Sequence, residues 1–213
     1  MLQAAGFVPE EVLAAPAAPL RALAYRQIAW CYCLGETLRG LDPAATLASY
    51  LPEKELLYTH SQANKPLALL ALHTAQVKEL YQRGALNSFQ QVQLDATLVR
   101  LCDALGQAER IKSTVFPASY RRLIHFFIYL FLLILSLGLV QTIGLWEIPV
   151  LLTTASTFFL LERTARELQD PFRHAPTDTP VTALARTVEI NLRQLLGEVQ
   201  VPAPLAAEAF YLM

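Results

Sequence analysis

The stretch from Leu123 to Gly144, LIHFFIYLFLLILSLGLVQTIG, runs for about twenty residues without a formal charge when His125 is neutral. At about 1.5 Å rise per residue, a helix of this length crosses a hydrocarbon core of about 30 Å. LWEIPVLLTTASTFFLL follows at once, and ERTARELQDPF closes it. This second run, Leu145 to Leu161, is shorter, carries Glu147 near its start, and sits at the lower limit of spanning length. Lipid offers no water to backbone N–H and C=O groups, so each crossing must satisfy them internally as a helix. Residues 118–164 are therefore expected to form a transmembrane helical hairpin. Core helices of soluble proteins rarely run this far without a polar face.

The cations give the hairpin a direction. Arg110, Lys112, Arg121 and Arg122 precede it, Arg163, Arg166 and Arg173 follow it, and no Lys or Arg lies between the two apolar runs. Short flanks rich in Lys and Arg stay on the cytoplasmic side, which predicts that both termini are cytoplasmic. The first residues, MLQAAGFVPEEVLAAPAAP, lack the charged-then-apolar order of a signal peptide, and Glu10 and Glu11 interrupt them. No cleaved targeting segment is expected.

At 54% hydrophobic and 16% charged, the 213-residue chain is too polar to be all membrane and too apolar for an ordinary soluble domain. Its formal net charge of -1 argues against nucleic acid as a partner. Cys31, Cys33 and Cys102 have no metal-ligand spacing and read as small buried apolar residues on helices. His60 and His73 are too scattered for a metal site, and no cofactor is implied. An enzyme would need a nucleophile with its base, a carboxylate pair or a Gly-rich phosphate loop; with eight glycines and none of these patterns, the chain does not read as an enzyme.

Outside the hairpin the pattern is helical. Leu20, Leu23, Ala24, Ile28, Cys31, Leu34 and Leu38 recur at spacings of three and four, and Gly40 stands at the C-terminal cap position. Asp42-Pro43 opens a short helix ending near Pro52, and SQANKP, Ser61 to Pro66, reads as a loop. Pro66 to Gln82 forms a second long helix closed by Gly84. Asn87 or Ser88 caps a third reaching about Lys112, with Phe89, Val92, Leu98, Leu101 and Leu105 roughly along one side. Pro180 to Leu196 repeats apolar residues at helical period, with Gly197 beyond. No window alternates with period two, so the fold class is all-α with no sheet. The expected organisation is a flexible segment 1–19, a cytosolic helical bundle 20–117, the hairpin 118–164, a cytosolic segment and helix 165–200, and a tail 201–213.

Three blocks carry a family resemblance: THSQANKP at Thr59 to Pro66, GQAERIKSTVFPASYRRLIHFFIYLF at Gly106 to Phe131, and ELQDPFRHAPTDTPVTALARTVEINL at Glu167 to Leu192. In order and spacing they resemble the bacterial bestrophins, and the match extends from about Leu20 to Gly197. The resemblance implies a pentameric ion channel in which each subunit adds four membrane helices and a cytosolic bundle around one pore. Animal members pass chloride, and some bacterial ones prefer cations. It further implies a multi-pass protein of the bacterial inner (plasma) membrane, whose partners are the lipid bilayer, inorganic ions and copies of itself, with no nucleic acid. The family has a stretch ahead of the matched region that includes its first two membrane helices, the second forming the pore's hydrophobic neck; this chain is expected to lack them.

Several family positions differ. Gln169 replaces the Glu before Asp-Pro-Phe, Arg173 replaces the following Gly, and Thr177, Thr179 and Val115 replace Asn, Leu and Pro. The family's Leu-Pro-Phe in the first retained membrane helix reads Leu135-Ser136-Leu137, which favours a straighter helix. After Asp-Pro-Phe the animal members bind calcium through acidic residues. Here Arg173, His174 and a lone Asp178 make a poor hard-cation site, so no metal is expected.

By spacing from Tyr120, the family's lower pore constriction falls on Phe89, where the resemblance implies an apolar ring. A core position for Phe89 is the competing reading. Glu109, Arg110, Asp170, Pro171 and Phe172 form a motif at the inner membrane edge, suited to ion pairs and capping rather than catalysis. His125 either faces a pore or hydrogen-bonds at the interface. Two readings stay open: a bestrophin-like channel subunit without its neck, or a non-conducting membrane-anchored interaction protein derived from that fold. An in-frame stretch upstream encoding two further apolar helices would favour the channel.

Overall fold

The computed structural model describes residues 17–114, 117–173 and 178–206. Val115, Thr177 and the His174–Pro176 part of the post-hairpin segment lie outside the described residues, as do residues 1–16 and 207–213 of the two ends. All regular structure among the described residues is helical: α1 (Ala17–Leu38), α2 (Ala44–Tyr50), α3 (Glu53–Ser61), α4 (Lys65–Gln82), α5 (Ser88–Ser113), α6 (Ala118–Ile143), a 3₁₀ turn (Gly144–Trp146), α7 (Glu147–Glu167) and α8 (Val181–Leu195). The chain divides into two compact units, one of Met1–Arg110 with His174–Met213 and one of Ile111–Arg173.

In the first unit α1 is central, packing on α8, α4 and α2. Its apolar residues surround the helix rather than forming one stripe, as burial on several sides requires. Ala29, Trp30 and Cys33 join Leu47, Leu51, Leu69, Leu70 and Leu105 in one core cluster. Ile28 and Tyr32 turn instead to Ala185 of α8. Gly35 permits this approach, because a Cβ there would sit 3.3 Å from the Val181 side chain. Leu47 and Leu69 are fully buried, each stabilising the unit by about 1.5–3 kcal/mol.

Helix α3 was not marked by any apolar periodicity. It is fastened electrostatically: Arg26 of α1, its side chain 5% exposed, donates through Nε and Nη2 to the two carboxylate oxygens of Glu55 at 2.8 and 2.5 Å. Bidentate geometry suits a guanidinium taken out of water. Gly40 and Gly84 adopt positive φ after α1 and α4, the conformation that frees a glycine to stop a helix.

Helix α5 departs from the sequence reading. Leu98 and Leu101 pack on the core and Leu105 is buried, but Phe89 and Val92 are exposed. At about 100° per residue, Phe89 and Leu98 lie on opposite faces, so the apolar residues form two stripes. The cysteines also divide: Cys33 is buried and Cys31 half-buried, while Cys102 is exposed, off the Leu98–Leu101–Leu105 stripe. Burial pushes the thiols up, Cys31 to about 11 and Cys33 to about 12, which leaves both protonated and unreactive at neutral pH.

The second unit is an antiparallel hairpin. Phe131 meets Phe158 at 5.4 Å and Tyr129 meets Phe159 at 5.7 Å between ring centroids. Gly144, at φ 56°, ends α6 and lets the chain reverse. The Ser136 hydroxyl donates to the Glu147 carboxylate across the turn, so the residue standing in place of the family's proline satisfies the one acid of the apolar run. Ser119–Glu167 is apolar enough to cross a membrane, and only 6% of its most apolar stretch is buried within the chain. A soluble core helix would be mostly buried. Here the apolar side chains point outward, the arrangement that lipid stabilises.

Candidate functional site

Helix α5 begins with a reciprocal cap. Asn87 Oδ1 accepts from the Gln90 N–H at 2.8 Å, and Gln90 Oε1 accepts from the Asn87 N–H at 2.9 Å. This fixes the first turn. Phe89, two residues into it, is 89% exposed. Within the single chain Phe89 points away from the core side of α5, where Leu98, Leu101 and Leu105 pack. Counting along the helix, Gln93, Ala96, Arg100, Asp103 and Gln107 share its face and are all exposed. The resemblance pointed only to Phe89; the polar row below it was readable from the same helical angle.

The opposite end of α5 is joined to the THSQANKP block. Asn64 caps α4 by accepting from the Leu67 N–H at 3.0 Å, and its amide donates to Glu109 Oε1 at 2.7 Å. One asparagine thus satisfies a helix end and orients a carboxylate. Arg110, the next residue, is exposed.

In the hairpin unit, Asp170-Pro171-Phe172 forms a local clasp. Asp170 Oδ1 accepts from the Phe172 N–H at 3.1 Å, and Oδ2 accepts from Lys112 Nζ at 2.9 Å. Arg173 Nε lies 3.5 Å from the same oxygen. Partial burial opposes ionisation of Asp170, but the Lys112 and Phe172 donors outweigh it and hold the carboxyl below its ordinary range. Phe172 is buried, so the motif anchors the chain after α7. Sequence reasoning found Asp170 and missed Lys112 as its partner, since fifty-eight residues separate them. His125 turns to α7, with Nε2 3.5 Å from Glu162 and its ring against Phe159. Both partners lie within the hairpin.

A further cluster lies in the first unit. Glu189 is 1% exposed and accepts from the Tyr32 hydroxyl at 2.8 Å and the Tyr50 hydroxyl at 3.0 Å, facing Arg193 at 2.8 Å and Arg186 at 3.2 Å. It ties α1, α2 and α8 together. Burial, reinforced by Glu189, raises both tyrosine hydroxyls, so both remain donors. Among the described residues no three His, Cys, Asp or Glu side chains are grouped to hold a metal.

A helical bundle with an outward-facing apolar hairpin defines a membrane protein. More narrowly, the chain belongs to the bestrophin family: the model of the family described as Bacterial/Fungal Bestrophin protein matches residues 3–194. It is similar to the voltage-dependent anion channel-forming protein YneE of Escherichia coli (strain K12), 31% identical over 197 residues, which cover 91% of this chain and 64% of that protein. It is similar also to the voltage-dependent anion channel-forming protein RSc3414 of Ralstonia nicotianae, 29% identical, covering 96% of this chain and 66% of the relative. Among solved structures, a bacterial bestrophin homologue from Klebsiella pneumoniae superposes with a TM-score of 0.81 at 28% identity, covering 89% of this chain and 71% of that one. The chain thus spans less than two thirds of the length of the curated relatives cited.

Proposed function

We propose that the chain is a subunit of a bestrophin-type ion channel, assembled from five copies of itself, with the exposed face of α5 turned toward the symmetry axis. The observation that carries the reading is Phe89, 89% exposed at a rigidly capped helix start. A large apolar side chain held in water by one chain finds its surroundings among other copies. Five such side chains form a dry ring, and an ion entering it loses hydration that no side chain replaces, so the ring filters by size and dehydration. The relatives named as anion channel-forming proteins favour anions as the permeant class. The membrane is the bacterial inner membrane and both termini are cytoplasmic, since the flanking cations lie at one end of the hairpin and its turn has none. Glu109, Arg110 and the Asp170-Pro171-Phe172 clasp occupy the cytoplasmic membrane edge as structural elements.

Reporter fusions at Leu196 and Gly144 test the topology, with the first inside and the second outside. Reconstitution into liposomes with an anion-flux assay, alongside the mass of the detergent-solubilised particle, tests the channel. Flux from a particle of about five subunits supports the reading, whereas a stable monomer without flux overturns it.

A further inference from the structure

Along one side of the hairpin, α6 and α7 enclose an open groove of about 1040 Å³. This exceeds the range of about 300–1,000 Å³ usual for small-molecule pockets. Its walls are Phe127, Phe131, Phe158 and Leu161, and its mouth carries Arg121, Arg166 and Arg173. From Arg121 to Phe131 the groove follows α6 for about 15 Å, half the hydrocarbon thickness and so the depth of one leaflet.

The charge at the mouth is unbalanced. Arg121 makes no ion pair with a described residue. Arg166 donates to Glu162 at 2.6 Å, yet its Nε is buried and without a hydrogen-bond partner among the described residues. Arg173 reaches Asp170 at 3.5 Å, outside normal hydrogen-bond length. Glu162 is the one acid lining the groove, and it already faces both Arg166 and His125. Three guanidiniums against two carboxylates, Glu162 in the lining and Asp170 beside Arg173, leave a net positive charge over an apolar trough one leaflet deep, which complements an anion that carries acyl chains.

We infer that this groove binds an anionic glycerophospholipid, its phosphate at Arg121, Arg166 and Arg173 and an acyl chain along Phe127, Phe131, Phe158 and Leu161. The site goes beyond the channel reading and rests only on the hairpin lying in a membrane, so a chain that conducts nothing would still bind the lipid. Basic pockets between membrane helices suit such headgroups, and each cation near an anionic surface contributes about fivefold in affinity.

The test is native mass spectrometry and thermal melting of the full chain in detergent, titrated with phosphatidylglycerol, phosphatidylcholine or soluble glycerol 3-phosphate. The expected result is retention of phosphatidylglycerol at least about fivefold over phosphatidylcholine, with a raised melting temperature and no effect of glycerol 3-phosphate. The preference falls by about fivefold in Arg121→Gln and survives in Arg121→Lys; if Arg121→Gln does not fold, Arg173→Gln takes its place with the same expected loss. Equal retention of the two lipids overturns the proposal. So does a full melting shift from glycerol 3-phosphate alone, which marks a free-phosphate site. Cross-linking of Leu161→Cys to a second copy also overturns it, because the groove is then filled by protein.

Discussion

Leu69 and Phe89 are both large apolar residues on helices of the same unit, and they have opposite fates: Leu69 is 0% exposed and Phe89 is 89% exposed. The first belongs to a surface that the chain completes by itself, around α1. The second, like the outward side chains of the hairpin, lies on a surface that the single chain leaves uncovered. Hydrophobic burial is the same free energy in both, but only in the first does it appear as stability of the isolated subunit. On the hairpin it is available for membrane insertion, and at Phe89 the proposed channel uses it in assembly.

The contrast is sharpest at the polar centre of the self-completed region. Glu189→Ala is expected to cost about 3–5 kcal/mol, because Arg186 and Arg193 would stay close to a desolvated site without their counter-charge. Thermal melts followed by circular dichroism measure it, and a loss below about 1 kcal/mol would mean that solvent reaches the cluster. Leu69→Ala should cost about 2–5 kcal/mol, while Leu133→Ala on the hairpin, at 60% exposed, should barely move the same melt in detergent. Equal losses would erase the distinction between the two regions.

A pH titration probes the core in another way. His73 is 4% exposed, and burial, with Arg26 nearby, pushes its pKa down to about 4. The unfolded chain takes up the proton first, so the stability this histidine supports is complete above pH 6.5 and is lost as the pH falls toward 4, by about 3 kcal/mol in all. Replacing it, as in His73→Gln, should flatten that part of the stability profile. At the small end, Lys112→Met removes the partner of Asp170 and should cost about 1 kcal/mol or less, since both side chains are partly solvated.

Much of this was legible in the sequence, for identifiable reasons. The apolar run from Leu123 and the period of α1, α4 and α8 are local signals, and Gly40 and Gly84 stop their helices where they were expected. What escaped depends on distant partners. Helix α3 has no stripe of its own and is held by Arg26; the exposure of Cys102 and the division of α5 into two stripes follow from which face meets Leu69 and its neighbours. The Ser136–Glu147 bond needed the hairpin closed before it could be seen. Phe89 was singled out only through resemblance, because no local pattern separates an exposed phenylalanine from a core one.

The channel reading therefore turns on that side chain. Planar-bilayer permeability ratios of wild type and Phe89→Ala, measured beside their melting temperatures, test it most directly. Facing water rather than core, the residue should leave the melt nearly unchanged when truncated, while permeability to larger anions rises as the ring widens. Unchanged permeability together with a drop worth about 3–5 kcal/mol, the cost of emptying a packed phenylalanine site, would contradict the account.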